Sequence, residues 1–276
     1  IGLKSVFAPN GSFIPGKTFI LEKKNIRGIE GDGMLCSEEE LGLSSNSNGI
    51  IELDSKYEIG KCLKNYVEDD YLYEIALTPN RGDCASVRGV ARDLSAKFSK
   101  NIKKKKLNTL IHDHKSPINW DLSKLTNNNL CPLILGRHFK IEKNPESPFW
   151  LQKRLIDIGL KPISALVDIT NYILFDIGRP LHVFDSNKIS GNLFVKLAEK
   201  GDDFTGLDNK EYFLTDQDMV VSDEEKVLSL AGIMGGVSSC VTKDTKEVFL
   251  EVAYFDPDTI AKSGRRHNIV TDARYR

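Results

Sequence analysis

The sequence predicts a multidomain chain of mixed α+β and α/β architecture. Three observations carry this. Residues 1–43 alternate short apolar stretches with turn formers, residues 69–99 read as a strand followed by a helix, and from residue 134 onward strands and helices are interspersed over a longer span. We place boundaries at 1–43, 44–116 and 117–276, the last being the larger unit.

In the first segment Ser5-Val6-Phe7-Ala8 and Thr18-Phe19-Ile20-Leu21 read as strands, separated by Pro9-Asn10-Gly11 and Pro15-Gly16. Ser37 with Glu38, Glu39 and Glu40 reads as a helix start. The Ser hydroxyl can cap, Glu40 can reach back to it, and acidic side chains suit the positive helix end. Gly42 and the stretch 44–49 keep that helix short. In the second segment, 69–77 reads as a strand leading into Thr78-Pro79-Asn80-Arg81-Gly82-Asp83. Residues 85–99 read as a helix with Val87, Val90, Ala91, Leu94 and Phe98 at helical spacing. The basic run 100–106 lacks interleaved aromatics and reads as a solvated helix end and linker rather than a nucleic-acid contact. Residues 120–126 and Asn127-Asn128-Asn129 mark the next boundary.

In the third segment 134–141 is a strand. Ser147 reads as an N-cap with Pro148 in the first turn, Leu151, Leu155 and Ile158 share a face, and Gly159 stops the helix. A second helix covers 164–175, stopped by Gly178. Strands follow at 193–198, 212–214, 219–221, 227–231 and 248–253, and Asp256-Pro257 opens a helix through Lys262.

Composition narrows the function classes. Apolar residues are 40% and charged residues 28% of the 276, an ordinary globular balance with material for a core. With 38 Lys plus Arg against 39 Asp plus Glu, the net charge of −1 argues against attachment to nucleic acid by bulk charge alone. No apolar run reaches membrane-span length and no signal peptide is visible. The five cysteines are odd in number and form no C-x-x-C pair, which argues against a zinc site or disulfide framework and fits a reducing cytoplasm. The chain opens Ile1-Gly2-Leu3 and stops at Arg274-Tyr275-Arg276, and reads as a piece of something longer.

Walker, G-x-S-x-G, H-E-x-x-H and G-x-G-x-x-G patterns are absent. The glycines of Ala231-Gly232-Ile233-Met234-Gly235-Gly236 lack phosphate-loop spacing and read instead as points of close backbone approach, to core or to ligand. Thr170 and Asn171 are polar inside an apolar helical stretch. They need partners, which a polar pocket near His182 or simple backbone bridging would each supply. Glu251 sits in an apolar strand pattern, where a carboxylate is either exposed on an edge or buried at a cost that a ligand hydroxyl could offset.

Taken together and in order, these motifs resemble the β subunit of bacterial phenylalanine–tRNA ligase. The matching residues are Arg27-Gly28, Gly33 to Ser37, Glu40 to Leu43, Leu77 to Cys84, Gly89 to Leu94, Val167 to Tyr172, Gly178 to Asp185, Ala231 to Gly236, Leu250 to Pro257, Arg265-Arg266-His267 and Thr271-Asp272-Ala273. The resemblance implies a partial oligonucleotide-binding (OB-fold) barrel remnant at 1–43, a small α+β domain with linker at 44–116, and a mixed α/β editing domain at 117–276. It implies an α₂β₂ heterotetramer with the ligase α subunit, which charges tRNA(Phe) using ATP and Mg²⁺. The β subunit would hydrolyse tyrosine wrongly attached to that tRNA, with no metal or cofactor in this segment and no membrane. It also implies a site of Thr170, Asn171, His182, Ala231, Gly232 and Glu251. Glu251 would read the tyrosine hydroxyl, Ala231 and Gly232 would leave room for the ring, and His182, Thr170 and Asn171 would position the ester, the water and the terminal adenosine. Water would attack directly, since no Ser or Cys sits in a base-assisted motif. The competing readings are a non-catalytic tRNA-binding or scaffold module and a metabolic hydrolase of shared fold.

Overall fold

Short strands form at Phe7–Pro9, Phe13–Ile14 and Phe19–Ile20, where aromatic and β-branched residues lie between turn formers. The computed structural model of the chain describes residues 2–44, 47–65, 71–103, 113–125 and 127–276. Residues 69–70 of the expected strand, 104–106 of the basic run and Thr126 of the expected boundary lie outside these. The chain divides into two compact units, Ile1–Tyr71 and Leu72–Arg276.

The first unit is built from short antiparallel pairs. β1 (Phe7–Pro9) pairs with β6 (Gly33–Leu35), β2 (Phe13–Ile14) with β3 (Phe19–Ile20), and β4 (Lys24–Ile26) with β5 (Ile29–Gly31). Its small core holds Ala8, Ile14 and Cys36, with Leu21, Met34 and Leu41 against them. The helix expected at Ser37 is instead a single turn. The reciprocal cap forms, with Glu40 Oε2 accepting from Ser37 N at 2.7 Å and Ser37 Oγ accepting from Glu40 N at 3.2 Å. Gly42 then takes φ +68°, which ends the turn before helix propagation can offset nucleation.

In the second unit α1 (Val87–Phe98) starts where Ser86 Oγ accepts from Gly89 N at 2.9 Å. The strand expected at 69–77 is not formed among residues 71–77. Tyr73 is 77% exposed, and no strand among the described residues supplies ladder hydrogen bonds there. A five-stranded sheet follows, in the order β15-β14-β13-β10-β7. Its members are β7 (Trp120–Asp121), β10 (Leu193–Leu197), β13 (Met219–Ser222), β14 (Val227–Leu230) and β15 (Met234–Gly235), with β7 parallel to β10 and the rest antiparallel. A three-stranded antiparallel sheet places β16 (Glu247–Tyr254) between β8 (Leu133–Lys140) and β9 (His182–Asp185). β11 (Asp203–Thr205) and β12 (Glu211–Phe213) form a hairpin. The main core joins both larger sheets through Phe184, Phe249, Val195, Val220, Leu228 and Leu230.

Four helices complete the unit: α2 (Phe149–Asp157), α3 (Ala165–Ile177), α4 (Pro257–Arg266) and α5 (Asp272–Tyr275). Gly178 at φ +74° closes α3, and Asp256 caps α4 by accepting from Thr259 N at 2.8 Å. Ser147 does not cap α2, where Pro148 occupies the cap position. Its hydroxyl donates instead to Asp168 Oδ2 at 2.5 Å, because a fully buried carboxylate is the more demanding acceptor. No helix among the described residues is long and apolar enough to cross a membrane.

Candidate functional site

β16 is the central strand of its sheet, which decides how Glu251 is placed. Glu251 pairs with His182 of β9 on one side and Gly136 of β8 on the other. Direct cross-strand partners share a face, so Glu251 and His182 lie side by side, with Phe249 and Phe184 next along the same face. That face turns inward: Glu251 is 6% exposed. The edge-strand alternative open in the sequence is thereby removed.

A cavity of about 230 Å³ opens over this pair. Glu251 and His182 line it together with Ser229 and Leu230 of β14, Gly232 of the following turn, Gly235 of β15, and Ile260 and Ala261 of α4. Arg179, Arg274 and Arg276 also line it. Its volume is below the roughly 300–1,000 Å³ of pockets for drug-sized ligands.

Two glycines shape the wall. Gly232 sits at φ +68°, and a Cβ there would lie 2.9 Å from Phe255 Cδ2. A Cβ on Gly235 would lie 2.3 Å from His182 Cε1, so the imidazole occupies the space that this glycine leaves. The close backbone approach expected of this segment is therefore made to core and cavity alike.

The electrostatics are those of desolvation. Burial pushes the Glu251 carboxyl up to about 7 and the His182 imidazole down to about 4. The Glu251 carboxylate makes no hydrogen bond or ion pair among the described residues. His182 Nε2 is buried without a hydrogen-bond partner among the described residues, and its ring stands edge-on to Phe184 at 4.4 Å between centroids. Two unsatisfied polar groups facing one cavity are expensive in a folded core, and a polar ligand is what would satisfy them.

Of the residues singled out in the sequence, the structure brings His182, Gly232 and Glu251 onto this cavity. Ala231 is buried beside it and does not line it; its N–H donates to Met219 O at 2.9 Å. Thr170 and Asn171 are half-buried on α3 and do not line it either. The Thr170 hydroxyl donates within its own helix, to Val167 O at 2.7 Å.

Other polar residues hold the frame. Asp168 accepts from Ser147 Oγ and, at 2.9 Å, from Ile163 N. Asn144 donates to Ser164 Oγ at 3.2 Å and Thr242 O at 3.0 Å and accepts from Leu166 N at 3.1 Å, which fixes the start of α3. Arg266 and His267 anchor the end of α4 to the fully buried Asp218, with His267 Nε2 2.9 Å from Asp218 Oδ2. Arg266 and His267 of the Arg-Arg-His motif are thus a tether. Asp168 could have been sought as a carboxylate in an apolar helical stretch, but its partner Ser147 and the Arg266 and His267 partners of Asp218 lie far off in sequence. Ser229 was signalled only as a hydroxyl in a run of apolar strand residues.

Among the described residues, Asp83, Cys84 and Asp93 form the grouping close enough to hold a metal ion. Arg81 sits among them, with Nε 2.9 Å from Asp83 Oδ1 and Nη2 2.5 Å from Asp93 Oδ2, and Arg92 also pairs with Asp83, so the two carboxylates are balanced by two guanidinium groups.

A family model described as B3/4 domain matches residues 130–276, which contain this cavity. The chain is 48% identical over all 276 residues to a phenylalanine–tRNA ligase beta subunit of Gluconobacter oxydans, covering 33% of it. It is 45% identical over the same length to that of Paramagnetospirillum magneticum, covering 35%. The chain thus spans about a third of the length of the curated relatives it matches. A crystal structure titled as an N-terminal fragment of the phenylalanyl-tRNA synthetase beta-subunit from Pyrococcus horikoshii covers 68% of this chain and 59% of that one, at 19% identity and a TM-score of 0.37. The chain belongs to the B3/4 domain family, and its whole length is similar to part of a phenylalanine–tRNA ligase beta subunit.

Proposed function

We propose that the chain is part of a phenylalanine–tRNA ligase and carries its proofreading site, which hydrolyses tyrosine from mischarged tRNA(Phe). The observation that carries this is the unpaired Glu251 carboxylate buried on the wall of a cavity of about 230 Å³ beside His182. A phenol donates a hydrogen bond to that carboxylate; a phenylalanine ring leaves it desolvated and unpaired. An aromatic synthetic pocket discriminates poorly against one added hydroxyl, so a second site that demands the hydroxyl supplies the missing selectivity.

In this reading Gly232, backed by Ala231, gives the ring room. His182, held neutral by burial, accepts a hydrogen bond from the attacking water. Arg179 and Arg274 offer positive charge to the nucleic-acid end of the substrate, whereas Arg276 is already paired with Asp272 Oδ1 at 2.6 Å. Thr170 and Asn171 act at the terminal adenosine, outside the cavity lining. The unit 117–276 is the editing domain, 44–116 a small α+β domain, and 1–43 a remnant of an oligonucleotide-binding barrel. The partners are the α subunit, in an assembly of two α and two β subunits, and tRNA(Phe), in the cytoplasm. ATP and Mg²⁺ serve charging on the α subunit.

The test is Glu251→Ala in the full assembly. Tyrosine release from mischarged tRNA slows while phenylalanine charging stays near normal. Unchanged tyrosine release rejects the role of Glu251 and favours a binding or scaffold module.

A further inference from the structure

Ser229 is the one hydroxyl in the apolar strand Val227-Leu228-Ser229-Leu230, and it is 5% exposed. Its register partner on β15 is Gly235, the residue whose missing side chain makes room for His182. Gly236 N donates to Leu228 O at 2.8 Å, so the adjacent Ser229–Gly235 pair is of the non-hydrogen-bonded kind, with Cα atoms about 4.5 Å apart and side chains close. A Cβ on Gly235 would lie 3.1 Å from His182 Nε2. Ser229 and His182 Nε2 therefore face each other across the space above Gly235.

Neither group is satisfied. His182 Nε2 has no hydrogen-bond partner, and the Ser229 hydroxyl makes no hydrogen bond among the described residues. Both residues line the same cavity as Glu251. Two polar atoms without partners on the wall of one cavity form the setting in which a small polar molecule is held.

We propose that Ser229 is a positioning residue for the hydrolytic reaction, its hydroxyl and His182 Nε2 together holding the attacking water over the ester carbonyl. This rests on the proofreading reading above and deepens it. The water oxygen bonds to the carbonyl carbon, and the bond from that carbon to the ribose oxygen breaks. The water's proton passes by way of His182 Nε2 to the departing ribose oxygen. Tyrosine leaves as the free acid, and the tRNA keeps a terminal hydroxyl. Ser229 stays unmodified: it orients the water's second lone pair and proton while Glu251 holds the phenol at the other end of the ring.

The experiment uses the full ligase and tRNA(Phe) preloaded with tyrosine, in single-turnover deacylation at increasing enzyme concentration. This separates the maximal rate from the half-saturating concentration. Ser229→Ala is expected to lower the maximal rate about tenfold, the worth of one hydrogen bond in the transition state, and to leave half-saturation within about twofold. Ser229→Thr keeps the hydroxyl on a strand-compatible residue and restores most of the rate. A Ser229→Ala enzyme with an unchanged maximal rate, or one altered only in half-saturation, overturns the assignment. So does a Thr variant as slow as Ala, which would make the defect one of packing. Glu251→Ala is run in parallel. If it slows release while Ser229→Ala does not, the Ser229 assignment alone falls; if Glu251→Ala changes nothing, the proofreading reading falls and this one with it.

Discussion

Replacing Glu251 by Gln keeps the shape of the side chain and removes its charge, so the cost of burying that charge becomes measurable. Burial lifts the carboxyl from an ordinary 4.5 to about 7. A difference of about 2.5 in pKa, at about 1.36 kcal/mol each, is about 3 kcal/mol. The unfolded chain loses this proton near 4.5, whereas the folded chain keeps it until about 7. Between those values the unfolded state binds fewer protons, so rising pH destabilises the fold, and above 7 the full penalty is present. The Gln variant has no such term. Its stability should match wild type near pH 4.5 and exceed it by about 3 kcal/mol at pH 8. Urea unfolding across that range, followed by fluorescence, reports on the second unit, because both tryptophans, Trp120 and Trp150, lie in it. Parallel pH profiles for the two proteins would refute the reasoning, since they would mean that the carboxylate is solvated in the folded chain.

Gly235→Ala places a Cβ 2.3 Å from His182 Cε1. The ring or the hairpin must move, at about 1–3 kcal/mol of stability by thermal unfolding and with loss of tyrosine release in the full assembly. Asp218→Ala leaves Arg266 and His267 without their buried partner and should cost about 3–5 kcal/mol, read from the urea midpoint. Burial alone would raise the Asp218 carboxyl, but hydrogen bonds involving Ser263, His267 and Thr215 outweigh it and hold the group below its ordinary value. Its stabilisation is therefore present above the unfolded value and disappears as pH falls through the folded one, and the Ala variant lacks that acid-side loss.

Local signals found most of the second unit's elements. Gly159 and Gly178 at helix ends, Asp256-Pro257 at a helix start, and the apolar runs of β10, β13, β14 and β16 each declare themselves within a few residues. The failures share a cause. The Ser37 capping box is formed, yet it starts only a turn, because Gly42 follows too soon. Residues 71–77 have strand composition but form no strand pairing among the described residues. Ser147 has the chemistry of a cap, and a carboxylate on another helix takes its hydroxyl instead. β9, which carries His182, is only four residues long, and its pairing with β16 is a long-range contact.

The sequence by itself determined the order of motifs, the candidate His182, Gly232 and Glu251, and the likeness to a ligase β subunit, because these depend on residue type and spacing. Only the tertiary structure decided that Glu251 lies on a central strand opposite His182, that Gly235 makes room for the imidazole, and that Ser229 faces the same cavity while Thr170 and Asn171 do not line it. Desolvation and cross-strand register are properties of segments brought together from separate parts of the chain. Glu251 is an ordinary carboxylate until three strands and a glycine hairpin exclude water from it.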